Sequence, residues 1–245
     1  METGANVNKQ LIDSMFKAGA HFAFRRSKRH PQAAPFIYGS KNNVEIFDLE
    51  KTSENLLSAL NFVEKIAEEG KQLLFIGGKQ ESQEAVKNAA ISLGMPYVAG
   101  RWIGGTFTNF VEIKKRIEKM ERLMVEKEKG ELAKYTKKER LLIDRDIDKL
   151  QKFFYGIRNM KDKPAAIFVI DQKREKGAVE EARRLKIPII GLSGSDSNYK
   201  DVDYAIPGND SSMSSINFFV NEIAEAYRRG AEKRMKKDKE EVKTV

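Results

Sequence analysis

Three stretches of this 245-residue chain carry side chains whose types and spacing could do chemistry. The first is Arg25-Arg26-Ser27-Lys28-Arg29-His30, closed by Pro31 and framed by Phe22, Phe24, Phe36 and Tyr38. Guanidinium groups grip phosphates bidentately and rings pack or stack on bases, so this mixture suits a nucleic acid. The second is Gly100-Arg101-Trp102-Ile103-Gly104-Gly105-Thr106, which runs on to Asn109, with Lys114 and Lys115 close behind. The third is dispersed. Asp48 and Asp171 each close an apolar run, and with Lys79 after Gly77-Gly78 they are the ingredients of a cation or phosphoacceptor pocket. Single acids at strand ends more often cap the following turn, which is the plainer expectation for both.

The machinery of most enzymes is absent. Without cysteine there is no thiolate catalysis, no sulfur-ligated zinc and no disulfide framework, which points to a reducing cytoplasm. His21 and His30 are the only imidazoles, too few for a three-histidine metal site. The serines at 193, 195, 197, 211, 212, 214 and 215 lie in no G-x-S-x-G elbow. Gly77-Gly78-Lys79-Gln80 lacks the glycine spacing and the Ser or Thr of a phosphate loop, and no G-x-G-x-x-G occurs. The first ten residues lack the apolar run of a signal peptide. No catalytic residue, cofactor, metal or membrane contact is therefore expected.

Charge is distributed unevenly. Residues 14–44 hold six basic side chains and no acidic one, residues 45–227 hold thirty of each, and residues 228–245 hold eight basic against four acidic, within a formal total of +9. A balanced body with basic ends suggests a polyanion gripped at particular places. The 40% hydrophobic content is enough for a core, and the 33% charged content gives that core a wet exterior.

These groups need elements to position them. Val7, Leu11, Met15 and Ala18 recur at helical spacing before Gly19. Phe36-Ile37-Tyr38-Gly39 and Val44-Glu45-Ile46-Phe47-Asp48 read as two strands joined by a polar turn at 40–43, a hairpin opening a sheet. Thr52 or Ser53 can cap a helix that ends at Gly70. The continuous apolar runs Leu73-Leu74-Phe75-Ile76, Ala165-Ala166-Ile167-Phe168-Val169-Ile170 and Ile189-Ile190-Gly191-Leu192 alternate with helical segments at 82–93 and 177–186. Strand, helix, strand implies a parallel sheet covered on both faces. A last helix, capped by Asn209 or Asp210, carries Met213, Ile216, Phe219, Val220, Ile223 and Tyr227 on one face. The fold class is α/β, a doubly wound and mostly parallel sheet.

Residues 107–158 interrupt this alternation. Phe110, Ile113, Ile117, Met120 and Met124, then Ile143, Ile147, Leu150, Phe154 and Ile157, step by three and four on either side of Gly130. Such stripes predict an α-helical coiled-coil hairpin whose arms bury each other and reach roughly 25–35 Å from the sheet. The expected division is a sheet domain of 1–106 and 159–227, the hairpin insertion of 107–158, and a basic C-terminal tail of 228–245.

Five ordered motifs resemble one family, the universal small-subunit ribosomal protein two family in its bacterial form. They are Gly19-Ala20-His21-Phe22, Pro35-Phe36-Ile37-Tyr38-Gly39, Asp48-Leu49-Glu50-Lys51-Thr52, Arg101-Trp102-Ile103-Gly104-Gly105-Thr106-Phe107-Thr108-Asn109 and Ile206-Pro207-Gly208-Asn209-Asp210. The resemblance spans nearly the whole chain. It implies a flavodoxin-like sheet with an inserted coiled-coil hairpin, seated on small-subunit rRNA in the cytoplasmic ribosome, with no catalysis. It also implies neighbouring ribosomal proteins as partners, among them the large, mobile ribosomal protein one.

The leading expectation is a structural constituent of the small ribosomal subunit. Arg25, Arg26, Lys28, Arg29, His30 and Arg101 would meet RNA, Trp102 would pack or stack, and Asn109, Lys114 and Lys115 would act at the root of the hairpin. Two rivals remain from other classes. One is a nucleotide-dependent enzyme or phosphoacceptor switch built on Asp48, Gly77 and Asp171, and the other is a helical-hairpin adaptor that binds only proteins.

Overall fold

The computed structural model describes residues 2–160 and 162–243, with side chains described over 9–160 and 162–237. The side chain of Val7, in the predicted first stripe, and those of residues 238–245 in the tail lie outside the described side chains. The first helix, α1 (Glu2–Lys17), buries Met15 completely and ends before Gly19.

Three short strands follow: β1 (Phe22–Arg25), β2 (Ile37–Lys41) and β3 (Val44–Phe47), paired antiparallel in the order β1-β3-β2. Asn42 and Asn43 join β2 to β3 with φ of 52° and 64°, the left-handed pair that a two-residue hairpin turn requires. The expected hairpin is therefore present, but it does not open the main sheet. It forms a separate antiparallel sheet, because the start of the basic segment supplies a third strand.

The main sheet comprises β4 (Leu73–Gly77), β5 (Tyr97–Ala99), β6 (Ala166–Ile170), β7 (Ile189–Ser193) and β8 (Tyr204–Pro207), all parallel, in the order β5-β4-β6-β7-β8. This is the flavodoxin-like order, with its reversal between β4 and β6. Successive residues of each strand feed opposite cores. Leu73, Phe75, Phe168, Ile170, Ile190 and Leu192 pack with α2 (Leu49–Glu68), α3 (Gln80–Leu93) and α7 (Met213–Lys243). Leu74, Ile76, Ile167, Val169 and Ile189 pack with α6 (Lys176–Arg184) and with Trp102.

The second face also takes the root of the hairpin, formed by α4 (Phe110–Glu128) and α5 (Lys137–Phe154). Ile113, Ile117, Met120, Leu150, Phe154 and Ile157 belong to the same buried cluster as the strands. The inner halves of both arms thus lie on the sheet rather than standing clear of it. Further out the arms meet mainly each other, through buried Ile147, the Lys119–Asp146 pair at 2.5 Å and the Lys127–Asp144 pair at 2.8 Å. Gly130, at φ 72°, ends α4, and Thr136 with Glu139 forms a reciprocal cap on α5. Each arm of 18 or 19 residues is about 28 Å long.

One cap differs from expectation, and a second is settled between two candidates. Asp48, not Thr52 or Ser53, caps α2 by accepting from the Glu50 N–H at 3.1 Å, and Thr52 and Ser53 are buried inside the helix. Asn209 accepts from the Ser211 and Ser212 N–H groups ahead of α7, whereas Asp210 turns inward. The C-terminal cations are also partly spent internally. Arg229 and Lys233 pair with Glu64, and Lys233 and Lys237 pair with Glu68, where α7 crosses α2.

That crossing is close. A Cβ on Gly230 would lie 2.3 Å from the Glu64 carbonyl oxygen, a backbone atom that cannot swing aside. Gly230→Ala is expected to push α7 off α2 and cost about 1–3 kcal/mol, read as a lower thermal midpoint; an unchanged midpoint would show that the two helices separate freely.

Candidate nucleic-acid interface

The basic segment is an ordered structure. Arg25 ends β1, opposite Val44, and Arg26 and Lys28 stand exposed on a single 3-10 turn, with the Lys28 ammonium 5.7 Å from the centre of the Phe24 ring. Two backbone ties hold this segment to the loop after β7: the Phe24 N–H donates to Ser195 Oγ at 3.0 Å and the His30 N–H to the Ser195 carbonyl at 2.8 Å. Arg29 faces inward, its Nη1 2.9 Å from Oε1 of Glu45, a carboxylate only 2% exposed. His30 caps the next turn, its Nδ1 accepting from the Gln32 N–H. Of the framing rings, Phe22 and Tyr38 are exposed and Phe24 and Phe36 half-buried, with Phe36 5.1 Å from Tyr199.

The 101–109 loop is organised by one acid that sequence reasoning overlooked. Glu181, on α6, accepts from Trp102 Nε1 (3.1 Å), the Gly105, Phe107 and Thr108 N–H groups (2.8, 3.0 and 3.1 Å) and the Thr108 hydroxyl (3.2 Å). Burial alone would push this carboxyl up, but these donors outweigh it and hold Glu181 below its ordinary range. Trp102 itself is buried, with its ring 4.9 Å from Phe107, so it packs the loop onto α6. Arg101 beside it is exposed. At the root of the hairpin, Asn109 and Lys114 are exposed, and Lys115 is paired with Glu112 at 2.6 Å. No local signal in the sequence singles out Glu181. It lies 76 residues from Gly105 within a helix rich in charge.

The carboxyl ends of β4 and β6, where a doubly wound sheet would receive a ligand, are filled by the chain itself. The Lys79 ammonium lies 2.7 Å from Asp171 and 3.1 Å from Asp210, and donates to the Asp210 carbonyl at 3.0 Å. Burial would lower the Lys79 ammonium, and the Asp210 and Asp171 charges more than reverse this, holding it above its ordinary value. Glu175 closes the crevice from α6. A Cβ on Gly78 would fall 2.1 Å from its Oε1 and 3.0 Å from the Gly100 carbonyl oxygen, so a side chain there would have to displace Glu175. Burial pushes the Glu175 carboxyl up to about 7, against the pull of Arg174, and burial likewise lifts Asp210 to about 6 against Lys79. Asp171 caps the turn after β6 through the Arg174 N–H, as Asp48 caps α2. Asp48 is thus set apart from the Lys79–Asp171 pair that follows Gly77 and β6. Asp48 is a helix cap at the small sheet, while Asp171 and Lys79 neutralise each other.

The geometry defines an α/β body with ordered basic loops beside a helical hairpin, and comparison with known proteins shows its family. Residues 15–230 match the family model described as ribosomal protein S2. Small ribosomal subunit protein uS2 of Bdellovibrio bacteriovorus is 40% identical over 220 residues, covering 90% of this chain and 70% of that protein. Its counterpart from Coprothermobacter proteolyticus is 38% identical over 226 residues, covering 92% and 83%. The chain belongs to the ribosomal protein S2 family. It is a structural protein of the small ribosomal subunit and not an enzyme, which sets aside the nucleotide-dependent rival. Among the described residues no helix is long and apolar enough to cross a membrane.

Two outcomes follow from the carboxylates. Glu181→Ala leaves five donors without their acceptor and should cost about 1–3 kcal/mol. Trp102 is the sole tryptophan, so the same change should shift its emission to the red; an unshifted spectrum would show that the loop holds without Glu181. The Glu181 contribution is present above the unfolded carboxyl value and disappears as pH falls through its lowered folded one. Glu175 has the opposite sign. Its raised value means the folded protein binds the extra proton, so stability falls as pH rises from about 4.5 to 7. Glu175→Gln should flatten that fall and raise the thermal midpoint at pH 8, as melting curves at pH 5 and 8 would reveal.

Proposed function

We propose that this chain binds small-subunit rRNA through the basic loops at the carboxyl end of its sheet and helps neighbouring ribosomal proteins to dock. The observation that carries the proposal is the 25–30 segment: Arg25, Arg26 and Lys28 are exposed on a backbone already fixed to Ser195, within a stretch that contains no acid. Cations held in place on a rigid scaffold suit phosphates, 2′-hydroxyls and the shape of folded RNA. Arg101 supports a second contact, placed by the Glu181-bound loop, and Asn109, Lys114 and Lys115 a third at the root of the hairpin. Arg29, His30 and Trp102 act from behind, since each is engaged inside the protein.

On the same reading the body is formed by residues 1–106 and 159–227, the hairpin of 107–158 is an arm reaching along the subunit, and 228–245 is a partly neutralised basic tail. Docking of the large ribosomal protein one is supported by the exposed rings of Phe16, Phe22 and Tyr38 on the side of the molecule that carries α1 and the small sheet. The cytoplasmic ribosome is the setting.

The test is the salt dependence of binding to a small-subunit rRNA transcript, together with sedimentation of lysates at low and high salt. Replacing Arg25, Arg26 and Lys28 by Ala should flatten the slope of log K against log salt by about 2 units, and the native chain should travel with small subunits. An unchanged slope would remove the loop from the interface. Arg29 is left intact because its loss would strand Glu45 as a buried, unpaired charge.

A further inference from the structure

Counted along the chain, residues 45–227 are electrically balanced, but the fold does not leave them so at the surface. The turn before α6, the helix itself and the residues just after it carry Lys173, Arg174, Lys176, Arg183, Arg184 and Lys186 against Glu175, Glu180 and Glu181. Glu175 is buried against Gly78, and Glu181 is occupied by the five donors of the 101–109 loop. Only Glu180 faces outward among the basic residues, all six of which are exposed. Lys173 and Arg183 are matched by Asp196 and Asp201, and Lys176 lies 3.5 Å from Glu180. Arg174, Arg184 and Lys186 make no ion pair among the described residues.

The placement of this face matters as much as its charge. At one end the 101–109 loop lies on it: a Cβ on Gly177 would come within 3.4 Å of the Trp102 ring, and Glu181 anchors the loop beyond. Just before this same N-terminal end, Lys173 reaches Asp196 at 2.7 Å, next to Ser195, which holds both Phe24 and His30 of the basic segment. The turn before α6 therefore lies between the two patches already assigned to RNA. From Arg174 to Lys186 the surface runs about 18 Å at helical rise. No large hydrophobic side chain is exposed on it, so an apolar protein contact or a lipid surface has nothing to hold.

We propose that the outer face of α6, through Arg174, Lys176, Arg184 and Lys186, binds the phosphate backbone of folded RNA and joins the 101–109 loop and the 25–30 segment into one continuous contact. The inference rests on the rRNA-binding reading above and extends it to a surface whose charge is hidden in the linear count.

Three proteins separate the two ideas: the native chain, the Arg25/Arg26/Lys28→Ala variant, and an Arg174/Lys176/Arg184/Lys186→Gln variant. Binding to a small-subunit rRNA transcript is measured across a salt series. The α6 variant should flatten the slope by about 3 units for four lost phosphate contacts. A native slope in the α6 variant with a flattened slope in the loop variant would overturn this inference and leave the rRNA reading standing. No binding by the native chain would overturn both. Acetylation of the native protein provides a check independent of mutation: added rRNA should slow modification of Lys176 and Lys186 several-fold while leaving exposed Lys87, on α3, unchanged. Equal rates for all three lysines would also overturn the proposal.

Discussion

A parallel sheet that is apolar on both faces leaves no face that water can wet, and the architecture is arranged around that constraint. On one side α2, α3 and α7 provide the cover. On the other, α6 is a helix of only nine residues, and the remaining area is sealed by Trp102, Phe107 and the inner turns of the hairpin. The arm is for this reason continuous with the body. Ile113, Ile117, Leu150 and Phe154 satisfy the sheet first, and only the outer turns of the arms depend on each other alone.

Covering that face with a loop creates a second requirement, because the loop brings backbone N–H groups with it that must be paired. A single carboxylate, Glu181, takes three of them together with the indole and a hydroxyl. The same economy recurs at the carboxyl end of the sheet, where Lys79, Asp171 and Asp210 satisfy one another and Glu175 fills the remaining space. Several acids of the body are drawn inward in this way, whereas among its described lysines and arginines only Lys79 is buried with them. The sorting of charge is therefore a product of folding rather than of composition.

Much of this was legible from residue order. The buried strands announce themselves as unbroken apolar runs, Gly94 and Gly130 mark helix ends in the left-handed region, and the two arms follow from steps of three and four. The antiparallel role of Phe22–Arg25 was hidden because four residues of mixed burial give no period. The engagement of Arg29 and His30 was equally hidden, since it depends on Glu45 and on the two-residue local turn to Gln32. Glu181 was invisible for a different reason: a helical glutamate among lysines and arginines is ordinarily a solvated group, and only the return of a loop from more than 70 residues away gives it a task. Asp48 went the other way. The general preference of a strand-end acid for capping described it better than the rarer cation-binding role did.

The tethering of the 25–30 segment to Ser195 and Glu45 has a consequence for the thermodynamics of assembly. A free basic arm would have to surrender backbone freedom on meeting its partner, at about 1–2 kcal/mol for each residue fixed. Here that entropy has already been lost when the chain folds. On the proposed rRNA contact, association would then approach rigid-body docking, its temperature dependence governed by dehydration and released counterions, with little heat-capacity change from coupled folding.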